Sequence, residues 1–168
     1  MVNKIKHILI SILILLLFTA CSSSIKSRVL KAIKESPVAN SYYAYTDWND
    51  RWYNFKDQKE EVQEKYLIYL NDIVDYISSL ELIEISADEF KGSTGVMIKI
   101  VDGGHEYVLH SKQIWPDKDF LKFSIDEKDE YYKLKDGDGE ELINLLIVSE
   151  NAPFNVISFY EYLDNEVK

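Results

Sequence analysis

Apolar residues along this chain change period twice, and each change marks a different kind of element. Ile8 to Phe18 is a nearly unbroken apolar run, interrupted only by Ser11. Ile25, Val29, Ala32 and Ile33 then recur at helical spacing and predict a short amphipathic helix that Pro37 ends. No glycine or proline occurs between Pro37 and Gly92. Within that stretch Tyr45, Trp48, Trp52, Phe55, Lys59, Val62, Tyr66, Tyr69, Ile73, Tyr76 and Leu80 step by three and four, and only Lys59 breaks the apolar stripe. Asp57 with Glu60 three residues on matches a capping box. The spacing predicts two helices, about 41–54 and 58–80, bent near Lys56; one long helix satisfies it too. Leu67, Leu70, Val74 and Ile77 widen the second apolar face, which suits packing on a sheet.

Past Leu80 the period becomes two. Ile98, Ile100, Tyr107 and Leu109 fall on one side of a hairpin whose turn lies in Asp102-Gly103-Gly104. Its central pair is 102–103 or 103–104, and both registers keep those four residues on one face. In the first register Lys99 also lies opposite Glu106, a favourable cross-strand pair. A second hairpin is expected from Phe120–Ile125 and Glu130–Lys135. With Glu127-Lys128 central, Phe123 meets Tyr132 and Leu121 meets Leu134. Asp138 can cap a helix over about 139–149 that turns Leu142, Leu145 and Leu146 inward. Phe154–Leu163 begins with strand alternation and ends with helical spacing, so both readings stand.

The first apolar run follows the basic stretch Met1-Val2-Asn3-Lys4-Ile5-Lys6-His7 and leads into Leu17-Phe18-Thr19-Ala20-Cys21-Ser22. A charged start, an apolar stretch of about 7–15 residues and small residues at a cut describe a secretory signal. The run is short for a bilayer span, which needs about 17–25 residues. With a cysteine directly after the small residues, the segment 1–24 resembles a bacterial prolipoprotein signal with its lipobox. Phe18 stands where that pattern favours Leu or another aliphatic residue. The resemblance implies a diacylglyceryl group on the Cys21 thiol, cleavage between Ala20 and Cys21, and anchoring at the extracytoplasmic face of the cell membrane. Two acyl chains hold where one is marginal, at about 0.8 kcal/mol per buried methylene. The competing readings are a buried core helix with an incidental cysteine, or an ordinary signal cut elsewhere.

Cleavage there would leave residues 21–168, with 17 of the 19 Lys+Arg and all 29 Asp+Glu. Such an acidic chain is repelled by phosphate backbones, so nucleic acid is excluded as a partner. Cys21 is the single cysteine, so no disulfide forms within one chain. Lys26, Arg28, Lys31 and Lys34 cluster beside the anchor with only Glu35 opposing them. They form either a collar for anionic headgroups, at about 1 kcal/mol per residue, or a solvated helix face. Ser22-Ser23-Ser24 makes a very short tether, which keeps the domain close to the bilayer.

Candidate chemistry is sparse. His105 and His110, five apart on one strand, face opposite sides and sit roughly 16 Å apart along it. They cannot share a metal or a triad. Asp136-Gly137-Asp138-Gly139-Glu140-Glu141 fails as a calcium loop, because Leu134 and Leu145 occupy the first and twelfth ligand positions. No nucleophile elbow, Walker loop or dinucleotide fingerprint is present, and no feature of the sequence selects one carboxylate pair for hydrolysis. The densest feature is Ser41–Phe55, with seven aromatics in fourteen residues from Tyr42. Tyr45, Trp48, Trp52 and Phe55 read as the core side of a helix. Tyr42, Tyr43 and Tyr53 lie off that stripe and, with Trp115 in a loop, are the candidate contacts for a partner or ligand.

The sequence thus predicts an α+β fold in which N-terminal helices pack on an antiparallel sheet of about four to five strands, with a C-terminal helix. On the resemblance, residues 1–20 would be the signal and 21–24 the lipidated cysteine and tether, leaving 25–168 as one expected globular domain. The expected role is a non-catalytic binding or accessory module, lipid-anchored at the cell envelope, needing no cofactor or metal. Its expected partners are the membrane and an envelope protein or cell-wall glycan. A small-ligand or glycan binder is the alternative, followed by a carboxylate-dependent hydrolase.

Overall fold

Local patterning is strongest where one face of an element is buried, and two helices show it. In the computed structural model, the residues described are 23–45, 52–92, 95–114, 118–135, 141–142 and 145–146. Helix α1 (Ile25–Glu35) buries Val29, Leu30 and Ile33 and ends at Ser36, directly before Pro37. Helix α2 (Glu60–Ser79) buries Tyr66, Tyr69, Leu70, Ile73, Val74 and Ile77 of the apolar face read from the sequence, whereas Leu67, expected on that face, is 40% exposed. The expected capping box at Asp57 does not form. Lys59 is the N-cap and makes no side-chain cap bond. Gln63 instead ties the preceding turn to the helix, its Nε2 donating to the Phe55 and Gln58 carbonyls at 3.1 and 3.0 Å.

Among the described residues seven strands build one antiparallel sheet: β1 (Ser41–Tyr45), β2 (Tyr53–Asn54), β3 (Leu82–Ile85), β4 (Val96–Asp102), β5 (His105–Ile114), β6 (Lys118–Ile125) and β7 (Lys128–Leu134). Their order is β2-β1-β4-β5-β6-β7-β3. The mixed α+β class agrees with the pattern, but the strand count exceeds the expected four to five. Two of the additional strands replace the helix expected over 41–54. Tyr43 pairs with Tyr53 and also with Ile98 of β4. Aromatic residues favour strands as readily as they fill helical stripes, and β4 supplies backbone partners that a helical pattern could not anticipate. β3 joins the far edge by pairing with β7.

The first hairpin has its turn at Gly103-Gly104, since Asp102 pairs with His105. Ile98, Ile100 and Leu109 are buried and Tyr107 packs beside them, as either register required. Lys99 lies opposite Val108 and meets Glu106 diagonally, at 3.7 Å. The second hairpin turns one residue earlier than expected, which shifts its pairing by two. Ile125 pairs with Lys128, so Phe123 faces Glu130 and Leu121 faces Tyr132. A shift of two preserves the faces, and Leu121 and Phe123 remain fully buried.

α1 and α2 lie on the face of the sheet that carries these residues, enclosing one core. The helix expected over 139–149 is described only at 141–142 and 145–146, and no C-terminal helix is among those with described bounds. Its inward residues Leu142 and Leu146 are buried, and Leu145 packs against the core. The Tyr69 hydroxyl donates to the Leu146 carbonyl at 2.8 Å. Phe154–Leu163 and Cys21 lie outside the described residues.

Candidate functional site

The aromatic segment divides between the two faces of the sheet. Tyr43 is fully buried and Tyr53 is 6% exposed, so their expected surface role is corrected. Both enter an aromatic cluster with α2. Phe55 stacks on Tyr66 with centroids 3.6 Å apart, Tyr53 meets Phe55 edge-on at 4.8 Å, and Tyr43 meets Tyr69 at 6.3 Å. Burial and then the neighbouring Tyr43 push the Tyr66 phenol well above its ordinary range. β-strand alternation explains the correction: Tyr43 points inward because Tyr42 points outward.

Tyr42 is half-buried on the opposite face, where Lys99 Nζ lies 5.1 Å from its ring and 4.5 Å from that of Trp52. Trp52, expected in the core, is therefore on this outer face, whereas Phe55 is in the core as expected. The Tyr45 side chain, Trp48 and Trp115 lie outside what is described. Lysine over two rings is a cation–π arrangement. It places a cation against one face of each ring, where a sugar could otherwise stack.

Further along the same face, Phe90 follows a short 3-10 turn whose capping box joins Ser86 and Glu89. Its ring rests edge-on against His110 at 5.3 Å and lies 5.4 Å from Tyr131, with Lys112 Nζ 5.0 Å above it. His110 Nε2 is buried without a partner. Burial, then Lys122 and Lys112, hold this imidazole at a pKa of about 4, so it is neutral near pH 7. His105 sits on the other face, its Nδ1 2.5 Å from Asp126 Oδ2. Asp119 is buried, and that burial pushes its carboxyl up to about 6. Among the described residues no group of three or more His, Cys, Asp or Glu could hold a metal ion. Among the same residues no helix is long and apolar enough to cross a membrane.

A concave site lies beside α1. An open groove of about 520 Å³ has Ser23, Arg28, Lys31 and Glu35 along the α1 side and Asp102 and Tyr107 from the first hairpin. Of the four cations read as either a headgroup collar or a solvated helix face, three have partners. Lys34 meets Asp75 of α2 at 3.0 Å, Lys31 meets Glu35 at 3.7 Å, and Lys26 Nζ lies 5.4 Å over the Tyr132 ring. Arg28 makes no ion pair among the described residues.

Glu130 fixes the orientation of α1 relative to the sheet. Its two carboxylate oxygens accept the Ile25 and Lys26 N–H groups, each at 2.9 Å, and the Tyr132 hydroxyl donates to Oε2 at 3.0 Å. Burial would raise this carboxyl, but the N–H groups of Lys26 and Ile25 and the phenol outweigh it and lower the pKa. A carboxylate at a helix N-terminus satisfies otherwise unpaired donors and complements the macrodipole. Glu130 is 105 residues from Ile25, so no local motif could have announced it. The Lys99 clamp and Phe90 were likewise missed, because each depends on strands aligned only by folding. No family model, no curated protein and no solved structure matches this chain.

Proposed function

We propose that this chain is a bacterial lipoprotein whose mature part, residues 21–168, is a non-catalytic binding or accessory module held at the extracytoplasmic face of the cell membrane. One observation carries this reading: Cys21 directly follows Thr19-Ala20 at the end of a short apolar run with a basic start. The position of α1 supports it, since the helix begins four residues after Cys21 and its first turn is held by Glu130. A domain built so close to its anchor suits contact with partners at the membrane surface.

Binding is favoured over chemistry by the described titratable groups. His110 is neutral and wedged against Phe90, His105 is on the opposite face, and Asp119 has no second carboxyl or histidine among its described interactions. A protein partner is favoured over a glycan because Tyr43 and Tyr53 are buried and Lys99 covers Tyr42 and Trp52.

Intact mass spectrometry of the protein from membranes is the test. The expected mass is that of residues 21–168 plus a diacylglyceryl group, and Cys21→Ser should move the protein out of the membrane pellet. An unacylated chain retaining residues 1–20 would sink the reading, as would a Cys21→Ser chain that stays in the pellet.

A further inference from the structure

The groove beside Ser23 carries opposite charges on its two sides, although the Arg28 charge also helps to lower the Asp126 carboxyl. Arg28 on α1 and Asp102 at the hairpin tip both line it, and neither makes an ion pair among the described residues. Lys31 adds a second cation beside Arg28. Its bond to Glu35 joins two side chains that are 69% and 65% exposed, and such surface pairs exchange partners at little cost.

Anchor geometry then fixes what this groove meets. Ser23 is two residues from Cys21, so the chain between them spans at most about 7 Å. The headgroup layer of a bilayer is about 5–7 Å deep on each side. A thioether-linked lipid on Cys21 therefore keeps the Ser23 end of the groove at the headgroup layer. Glu130 limits any reorientation of α1, because its two bonds tie the first turn of the helix to β7.

We infer that the groove takes the headgroup of a neighbouring phospholipid, specifically a phosphodiester that carries a primary amine. Arg28 and Lys31 meet the phosphate, which suits a guanidinium and an ammonium set side by side. Asp102 accepts from the ammonium group, and a quaternary ammonium offers no N–H for that bond. Glu35 and Asp102 disfavour a headgroup with excess negative charge. The domain thereby gains a fixed tilt, with α1 and the Gly103-Gly104 turn toward the bilayer and the far end of β4 away from it. This inference rests on the lipoprotein reading.

Amide hydrogen exchange on the full acylated chain in nanodiscs tests it. One set contains equal parts phosphatidylethanolamine and phosphatidylglycerol, and the other replaces phosphatidylethanolamine with phosphatidylcholine. Expected is a slowing of at least about fivefold over 26–35 and 101–108 in the first set relative to the second. Arg28→Glu should abolish that difference while leaving the acylated mass and the circular dichroism unchanged. Equal exchange in the two lipid mixtures, with the acylated mass confirmed, overturns the headgroup site alone. A chain without the diacylglyceryl mass overturns the lipoprotein reading and this one with it. If millimolar inorganic phosphate slows the same segments in detergent, the site belongs to a free anion and the headgroup assignment is wrong.

Discussion

The two hairpins at the centre of the sheet reach the same turn geometry by different chemistry. Gly103 and Gly104 have φ of 57° and 80°, and Asp126 and Glu127 have φ of 48° and 69°. Both are two-residue turns with positive φ at each central residue, the type I′ pattern that matches strand twist. Glycine enters that region freely, whereas other residues are strained there by roughly 1–2 kcal/mol each. The second turn is compensated from outside itself. Glu106 donates its N–H to Asp126 Oδ1 at 2.9 Å, the Asp126 N–H returns to the Glu106 carbonyl at 3.1 Å, and His105 meets Oδ2. The first hairpin's strand holds the second hairpin's tip. Glycine recurs at the open end of the first hairpin, where a Cβ on Gly95 would come 1.8 Å from the Ser111 carbonyl oxygen. Residues 118–135 contain no glycine. A turn encoded by its own residues is legible in sequence, and a turn held by a neighbouring strand is not.

Core truncation should ignore this difference. Phe123→Ala is expected to cost about 3–5 kcal/mol and Leu109→Ala about 2–5 kcal/mol in urea unfolding, because both side chains are buried. If one hairpin tolerated truncation without loss, the single shared core would be the wrong picture. Gly95→Ala should destabilise by about 1–3 kcal/mol, since its contact is with backbone that cannot rotate aside. Gly104→Val should cost about 1–2 kcal/mol through φ alone, because nothing lies within 4 Å of its added Cβ.

Glu130→Gln should remove about 1 kcal/mol from the α1 terminus. The sign of its pH dependence follows from a lowered folded-state pKa. Its contribution is present above the ordinary value of 4.5 and is lost as pH falls through the depressed one. Thermal midpoints between pH 6 and pH 3 should therefore fall less steeply in the variant than in the parent; equal slopes would remove Glu130 from the account. Smallest is Glu127→Gly, which should gain up to about 1 kcal/mol by relieving the positive φ. The matching change Gly103→Glu should lose stability, which makes the pair a direct test of the contrast.

How much could be read in advance depended on how locally each feature is specified. The α2 stripe and the inward set Ile98, Ile100, Tyr107 and Leu109 were legible because burial on one face imposes a period. The surface assignment of Tyr43 and Tyr53 failed because it counted along a helix that does not form. Among the candidate contacts Tyr42 alone lies on a described outer face, and even there Lys99 occupies its ring. The groove had only half a signal: its basic residues stood out beside Cys21, but Asp102 and Tyr107 reach it only through folding.

By itself the sequence determined the α+β class, the end of α1 at Pro37, the inward faces of both hairpins and the apolar side of α2. Each follows from spacing within a few residues, where sterics and the need to bury one face leave little choice. Tertiary structure decided that 41–45 is a strand, that the second hairpin turns at Asp126-Glu127, and that Glu130 caps a helix 105 residues away. Those outcomes depend on hydrogen-bond partners supplied across the fold, and a partner distant in sequence leaves no local periodicity to read.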